Sequence, residues 1–230
     1  MDLKELAARE AVKYVEDDMI VGLGSGTTAT IAIKLLGEKV KEGMTIIGIP
    51  TSKESERIAE SVGIPIGELL AHPPIDLTID GADEVDPNLN LIKGLGGALV
   101  REKIVASHSN LEIIVADDAK MVERLGQKAP VPVEILKFAH EATISKLEKL
   151  DCACKLRIRH DQPFVTDNGN LIVDCRFKMI EDPKRLESAI NLIPGVVDNG
   201  LFLGMADKVI VASNEGIRIM EKDTVLRRVT

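Results

Sequence analysis

Aromatic side chains are almost absent from this chain of 230 residues, which has no tryptophan, one tyrosine and four phenylalanines. Its core must therefore be built mainly from isoleucine, leucine, valine and alanine. Few rings remain on which nucleic-acid bases could stack. The formal net charge of −8 points the same way, because nucleic acids select basic surfaces. We therefore expect no nucleic-acid partner.

Cysteines and long apolar runs are also few. Three cysteines (Cys152, Cys154 and Cys175) are an odd number in a mid-sized chain, which argues against a disulfide framework. The pair Cys152-x-Cys154 is too sparse for a zinc site, so we interpret all three as inert thiols and expect no metal. No apolar run approaches the ~18–20 residues that span a bilayer, and the charged start lacks the apolar core of a signal peptide. These absences indicate a cytoplasmic protein without membrane contact.

What the chain does contain is a series of short aliphatic runs, each followed by a helical pattern. The runs lack alternation, which is typical of strands covered on both faces. Predicted strands cover residues 19–23, 45–49, 76–80 and 111–116, and predicted helices cover 3–15, 29–36, 53–62 and 98–107. This order predicts an α/β fold with a parallel sheet and right-handed crossovers.

The prolines of KAPVPVE, residues 128–134, interrupt this rhythm and indicate a domain boundary. Beyond them lies a smaller α+β pattern, with predicted helices at 139–150 and 183–192, a β-prone run at 155–159, a hairpin turning at 167–170 and a strand after Pro194. Strands at 205–212 and 216–220 then rejoin the first domain. We therefore predict one domain formed by residues 1–128 plus 205–230 and an inserted domain at 129–204.

The first predicted strand runs into Gly24-Ser-Gly-Thr-Thr28, and a helix follows. Backbone N–H groups and hydroxyls at a helix N-terminus form a natural anion site, although a tight turn capped by threonine would show the same pattern. The loop matches a dinucleotide fingerprint only in part, and no acidic residue ends the second strand, where Ile49-Pro50-Thr51 stands. We therefore expect a phosphate monoester at this loop and no nucleotide cofactor.

The stretch from Asp76 to Lys103 concentrates charged residues around a strand end and a glycine-rich turn. Asp80 ends the apolar run and Asp83 follows closely, so both could face a ligand at the carboxyl edge of the sheet, with a solvated acidic loop as the alternative. Glu102 has apolar helical neighbours, which favours a partly desolvated carboxylate able to act as a base. Lys93, beside the turn, could stabilise an oxyanion or be an ordinary surface lysine.

The segment DGADEVDPNLNLIKGLGGALVREK (80–103) resembles the signature of the type A ribose-5-phosphate isomerase family, and VGLGSGTTA (21–29) resembles that family's first glycine loop. The likeness extends to PTSKESERIA, VADDAK, KAPVPVE, DNGN and INLIPGVV, and so covers nearly the whole chain. Leu95 departs from a turn that is often richer in glycine, and Ser-Gly-Thr stands where Thr-Gly-Ser is common. The resemblance implies a Rossmann-like α/β domain carrying a smaller α+β domain of ferredoxin-like type. It also implies metal-independent and cofactor-independent interconversion of ribose 5-phosphate and ribulose 5-phosphate in the non-oxidative pentose phosphate pathway.

The resemblance further implies roles for particular residues. Glu102 would carry a proton between C2 and C1 through a cis-enediolate, and Lys93 would stabilise its oxygen. Asp80 would open the furanose ring, while Asp83 would bind hydroxyls or orient Lys93. The residues implied in substrate binding are Lys4, Ser25, Gly26, Thr27, Thr28, Gly94, Gly96, Gly97 and Lys120.

Two other functional classes stay open at this point. A sugar-phosphate sensor would keep the phosphate loop without turnover, but it would need a DNA-binding module ahead of the first strand. A CoA-transferase-like enzyme would use a glutamate as its nucleophile. The β-prone edges at Val196-Val197 and 163–177 predict a homo-oligomer that assembles partly through the insert. The family resemblance implies that this oligomer is a homodimer or a homotetramer.

Overall fold

The computed structural model describes residues 2–69 and 74–222 and shows an α/β fold, as predicted. The parts of the predicted first domain at residues 1, 70–73 and 223–230 lie outside the described residues. None of the helices within the described ranges is long and apolar enough to cross a membrane.

The largest sheet has six strands, and five of them run parallel. In spatial order they are β15 (Gly216–Glu221), β14 (Lys208–Ser213), β6 (Ser109–Asp117), β3 (Ile75–Gly81), β1 (Met19–Leu23) and β2 (Ile46–Pro50). The edge strand β15 is the antiparallel one, and it pairs with β14. The parallel sheet is therefore confirmed, although the strand predicted to begin at residue 205 begins at Lys208.

Four helices cover this sheet: α1 (Leu3–Ala11), α2 (Thr27–Lys41), α3 (Lys53–Val62) and α4 (Leu99–Ser107). The first three share an apolar core with Ile113 of β6, whereas Leu99 of α4 packs in a cluster that contains the next residue, Ile114. Because neighbouring residues of a strand point to opposite faces, α4 lies on the other side of the sheet. The helix predicted over 3–15 ends at Ala11 and continues as a single 3-10 turn, Val12–Tyr14.

A second sheet, of four antiparallel strands, is formed by residues that lie between β6 and β14 in the sequence. In spatial order it contains β12 (Val196–Asn199), β7 (Val131–Ile135), β11 (Leu171–Phe177) and β8 (Cys152–Leu156), with helices α5 (His140–Glu148) and α6 (Pro183–Asn191). The sequence order is β-α-β-β-α-β, which is the ferredoxin-like arrangement. This separate sheet supports the division into 1–128 plus 205–230 and 129–204, which we keep as a proposal.

Three local features differ from the sequence prediction. The proline-rich boundary is itself a strand, β7, which lies in the interior of the second sheet. Prolines in sheets usually lie on edge strands, but Pro132 lies in this interior strand. Its carbonyl accepts a hydrogen bond from the N–H of Gly200 at 2.7 Å. The β-prone run at 155–159 breaks at Arg157 into β8 and a short strand β9 (Ile158–Arg159), which pairs with β10 (Gln162–Pro163).

The predicted turn at 167–170 is present, with a positive φ of 84° at Gly169 and an N–H of Thr166 donated to the carbonyl of Asn170. The chain before the turn meets β11 through an isolated bridge, Val165 to Leu171, instead of a full strand. The neighbours of β11 in the sheet are β7 and β8. The turn was therefore predicted correctly, but its first strand was not.

A third sheet, which the sequence did not predict, joins the acidic stretch to the end of the insert. Its strands are β4 (Glu84–Val85), β5 (Leu91–Ile92) and β13 (Leu201–Phe202). Glu84 in β4 is fully buried and accepts the backbone N–H groups of Gly126, Lys128 and Ala129. One carboxylate therefore holds the loop that leads into β7.

We expect Glu84→Ala to lower the free energy of unfolding by roughly 3 kcal/mol or more, because it leaves three buried N–H groups without an acceptor. Urea denaturation followed by circular dichroism would measure the loss. The exposed Glu123→Ala is the matched control and should stay within about 0.5 kcal/mol of the wild type. Equal stabilities of the two variants would contradict the role given to Glu84.

Candidate active site

The loop between β1 and α2 is shaped by glycines that leave space for the neighbouring strand β3. A Cβ atom on Gly22 would lie 1.7 Å from Oγ1 of Thr78, and one on Gly24 would lie 2.3 Å from Oδ1 of Asp80. Gly26 has a φ of 90° and a ψ of 179°, a conformation that is essentially restricted to glycine. The glycines of this loop thus allow Asp80 to approach the start of α2.

Hydroxyl groups and one lysine surround the N-terminus of α2. The Oγ of Ser25 lies 2.7 Å from the hydroxyls of both Thr51 and Ser52, and Lys4 donates to Oγ1 of Thr27 at 3.0 Å. No side chain caps the helix, so its first backbone N–H groups are open to an acceptor. A helix N-terminus with adjacent hydroxyls and a cation is a suitable site for a phosphate group.

Three ionisable side chains meet beside this loop. Nζ of Lys93 lies 3.0 Å from Oδ2 of Asp80 and 3.6 Å from Oε2 of Glu102, as ion pairs without a well-aligned hydrogen bond to either oxygen. Nζ also donates to the carbonyl of Gly81. Oδ1 of Asp80 accepts the backbone N–H groups of Ser25 and Gly81. Asp80, Lys93 and Glu102 are all at least 95% buried.

The shared burial shifts the pKa of two of these groups. Burial opposes the charge on Lys93, but the negative charges of Asp80, Glu102 and Glu112 outweigh it and raise the pKa of Lys93 above its ordinary value. Burial raises the pKa of Glu102 to about 8, against the attraction of Lys93 and with the support of Asp80 and Asp83. Lys93 is therefore a permanent cation, whereas Glu102 can gain and lose a proton near neutral pH.

Asp83 and the glycine-rich turn form the opposite rim. Oδ2 of Asp83 accepts a hydrogen bond from the N–H of Leu95 at 2.9 Å. Burial raises the pKa of Asp83, although this hydrogen bond and the nearby cations lower it in part. Arg157 from the insert donates to the carbonyls of Gly94 and Leu95 at 2.9 and 3.0 Å. No local sequence pattern predicts this use of Arg157, because 62 residues separate it from Leu95.

Two further buried residues support the site from behind, and sequence analysis missed both. The ring of Phe202 lies 5.3 Å from Nζ of Lys93 and 5.0 Å from Nζ of Lys103, so it packs between two ammonium groups. Glu112 of β6 is buried with neither carboxylate oxygen hydrogen-bonded, and burial raises its pKa well above the ordinary value. Glu112 was read as part of a strand pattern, which does not reveal its proximity to Asp80.

Most of the predicted residues converge on one cleft. It is lined by Lys4, Ser25, Gly26, Thr27, Thr28, Asp83, Lys93, Gly94, Gly96, Glu102 and Lys120, together with Gly81 and Ala82, which were not predicted. Asp80 does not line the cleft but lies against Lys93. Gly97 lines a neighbouring cavity with Phe164. The cleft thus has an anion-binding end and an end with a buried acid–base pair.

Comparison with known proteins identifies the family of the chain. Residues 47–216 match the family model of ribose 5-phosphate isomerase A (phosphoriboisomerase A). The chain is 53% identical over 219 residues to ribose-5-phosphate isomerase A of Gloeobacter violaceus, with 95% of each chain covered. It is 46% identical over 225 residues to the enzyme of that name from Pyrococcus abyssi, with 96% of this chain and 98% of the relative covered.

Solved structures give the same result. A D-ribose-5-phosphate isomerase in complex with phospho-erythronic acid superposes with a TM-score of 0.93 at 46% identity, covering 96% of this chain and 98% of the other. The ribose 5-phosphate isomerase of Plasmodium falciparum superposes with a TM-score of 0.94 at 42% identity and the same coverage. Because the family model matches residues 47–216 and the relatives share the fold and nearly the whole length, the chain belongs to the ribose 5-phosphate isomerase A family.

Proposed function

We propose that this chain interconverts ribose 5-phosphate and ribulose 5-phosphate, with Glu102 as the proton carrier. The observation that carries the proposal is the buried Glu102–Lys93–Asp80 group at one end of a cleft whose other end is a helix N-terminus. The complex of a related isomerase with phospho-erythronic acid, a phosphorylated sugar acid, supports a ligand of this class. The family resemblance supports a reaction without metal or cofactor.

The phosphate group would bind at the N-terminus of α2. Backbone N–H groups of the first turn, the hydroxyls of Thr27 and Thr28, and the Lys4 ammonium converge there. Ser25 is held by Thr51 and Ser52, so its backbone is fixed before the ligand arrives. Fixing the phosphate places the sugar chain along the cleft toward Glu102, and such positioning supplies a large part of catalysis.

Proton transfer would take place at the buried end of the cleft. Deprotonated Glu102 would remove the proton from C2 of the aldose and return it to C1, through a cis-enediolate. The negative charge that develops on oxygen would be stabilised by the ammonium of Lys93, which is strongest in a site that excludes water. The buried position of both groups supports this division of roles.

Ring opening needs a group that can reach the sugar. The family resemblance implied Asp80 for this step and left the orientation of Lys93 to Asp83. The geometry favours the reverse assignment, because Asp83 lines the cleft whereas both oxygens of Asp80 are engaged by backbone N–H groups and by Lys93. We therefore assign ring opening to Asp83 and the orientation of Lys93 to Asp80.

Assembly and compartment remain as predicted from the sequence, a homodimer or homotetramer in the cytoplasm. Support for assembly comes from β12, an edge strand of the second sheet in which Val197 is 40% exposed. Sedimentation at micromolar concentration should give a mass of about two or four chains of 24.9 kDa. A single species of one chain would refute this part of the proposal.

We expect Glu102→Gln to lower kcat by about 10²–10⁴-fold, because it keeps the shape of the side chain but removes the base. A coupled assay with ribose 5-phosphate in the presence of EDTA would measure this loss, and the wild type should keep full activity under EDTA. The exposed Glu60→Gln is the matched control and should behave like the wild type. Activity of Glu102→Gln within about threefold of the wild type would rule out the role of Glu102.

Thr28→Ala should weaken substrate binding by roughly 1–3 kcal/mol, through loss of a hydrogen bond to a charged phosphate. The change should appear in KM for ribose 5-phosphate, while the slow reaction of free ribose stays the same. Thr30→Ala, two residues further along α2 and outside the cleft lining, is the control. Equal effects of Thr28→Ala on phosphorylated and free sugar would show that the loop is structural.

The pH dependence of kcat/KM should report the proton on Glu102. Because the base must be deprotonated and burial raises its pKa to about 8, kcat/KM should rise with pH, reach half of its limiting value near pH 8 and level off at higher pH. Asp83→Asn removes a negative charge that raises this pKa, so the rise should move to lower pH. The rate at which the C1 proton of ribulose 5-phosphate exchanges with solvent, followed against pH, measures the protonation of Glu102 in a reaction that needs no ring opening.

The exposed Asp161→Asn serves as the control for this measurement, because its left-handed backbone suits asparagine equally well. Its profile should coincide with that of the wild type. Two results would contradict the electrostatic coupling between Asp83 and Glu102. One is a rise in kcat/KM at the same pH in Asp83→Asn and the wild type, and the other is a rise near the ordinary pKa of a carboxyl group.

A further inference from the structure

The three cysteines of the chain converge on one side of the second sheet. Cys152 and Cys154 are two residues apart on β8 and therefore share a face, and Cys175 of β11 lies directly opposite Cys154 in the strand register. The Sγ of Cys154 lies 3.6 Å from that of Cys152 and 3.7 Å from that of Cys175. All three sulfur atoms lie within 4.8 Å of one another, and none is part of a disulfide.

These separations match the geometry of thiolates around a metal ion. A zinc–sulfur bond is about 2.3 Å, so two sulfurs at tetrahedral positions on one ion are about 3.8 Å apart. A disulfide would instead require the sulfurs to close to about 2.0 Å. The pairing of β11 with β8 brings the sulfur of Cys175 this close to that of Cys154, and the shared face of β8 does the same for Cys152, without any change of the backbone.

We propose that Cys152, Cys154 and Cys175 form a three-thiolate site for a soft d10 metal ion of the Cu(I) or Zn(II) class. Thiolates are the ligands that select such ions over the hard cations Mg²⁺ and Ca²⁺. Three sulfurs complete a trigonal site for Cu(I) and leave one position of a tetrahedral Zn(II) for water. The spacing of the cysteines in the sequence does not predict this site, because the third ligand, Cys175, is 21 residues away from Cys154.

Burial around the cluster suits such a site. Cys175 is fully buried in the core of the insert, whereas Cys152 and Cys154 are partly exposed on β8, an edge strand of the sheet. An ion can therefore reach the sulfurs from solvent and then be held against an apolar floor. None of the three cysteines lines the catalytic cleft. Binding should accordingly stabilise the insert and leave isomerisation unchanged.

The test uses Cd²⁺ as a spectroscopic probe for this class of ion, added to the reduced full-length protein under argon. We expect a thiolate-to-metal charge-transfer band that saturates at one Cd²⁺ per chain, release of protons on binding, and a higher Tm. Loss of a residue that only hydrogen-bonds to a metal ligand typically lowers metal affinity by roughly 10–100-fold. Cys154→Ser and Cys152→Ser each remove a ligand itself, so each should lower the affinity for Cd²⁺ by more than this.

The two substituted positions are partly exposed, so both variants should fold, and their isomerase activity should confirm this. Absence of the charge-transfer band in the wild type would overturn the proposal. So would an unchanged stoichiometry and affinity in Cys154→Ser, since the ion would then bind elsewhere. A third result would also overturn the proposal: the reduced protein binds no Cd²⁺, and an oxidant readily forms a Cys154–Cys175 disulfide. The two cysteines would then be a redox pair.

Discussion

A lysine ammonium group held away from water must be neutralised by its neighbours, and the buried end of this cleft is built around that requirement. An unpaired buried charge costs several kcal/mol. Lys93 meets two carboxylates, those of Asp80 and Glu102, and one backbone carbonyl. Because two acids share one cation, the trio carries an excess negative charge, and a proton on Glu102 removes that excess. The arrangement that keeps the lysine charged therefore also prepares the glutamate to exchange protons.

Each member of this trio comes from a different part of the fold, so the relative placement of several elements determines the site. Asp80 ends the central strand β3, Lys93 follows β5, and Glu102 lies in the first turn of α4. Gly24 matters here because a side chain at that position would collide with Asp80. The turn at 167–170 adds a second constraint, since its residues Asp167 and Asn168 accept hydrogen bonds from Arg101, the neighbour of Glu102. The insert therefore helps to hold the helix that carries Glu102.

Much of this could be predicted from the sequence, because the patterns concerned are local. Aliphatic runs predicted the parallel strands, and a strand followed by glycines and hydroxyls predicted the loop at the N-terminus of α2 for which we propose phosphate binding. The prediction was weaker where distant residues meet. Nothing local to Asp80 and Asp83 shows that the first pairs with Lys93 and the second with Leu95 N–H. Phe202 lies more than 100 residues from Lys93, and Pro130 and Pro132 made the interior strand β7 look like a domain boundary.

The backbone pairing at Lys93 has a consequence for the order of events during synthesis on the ribosome. The N–H of Lys93 donates to the carbonyl of Gly200, and β5 pairs with β13, which contains Phe202. A nascent chain that already includes Asp80, Lys93 and Glu102 lacks these partners until about a hundred more residues have been made. Domains generally fold as units as they emerge, but here the charged side chains of the cleft are made long before the backbone that fixes them. Isomerase activity should therefore be acquired late, after the second sheet has formed and the chain has returned to the first sheet.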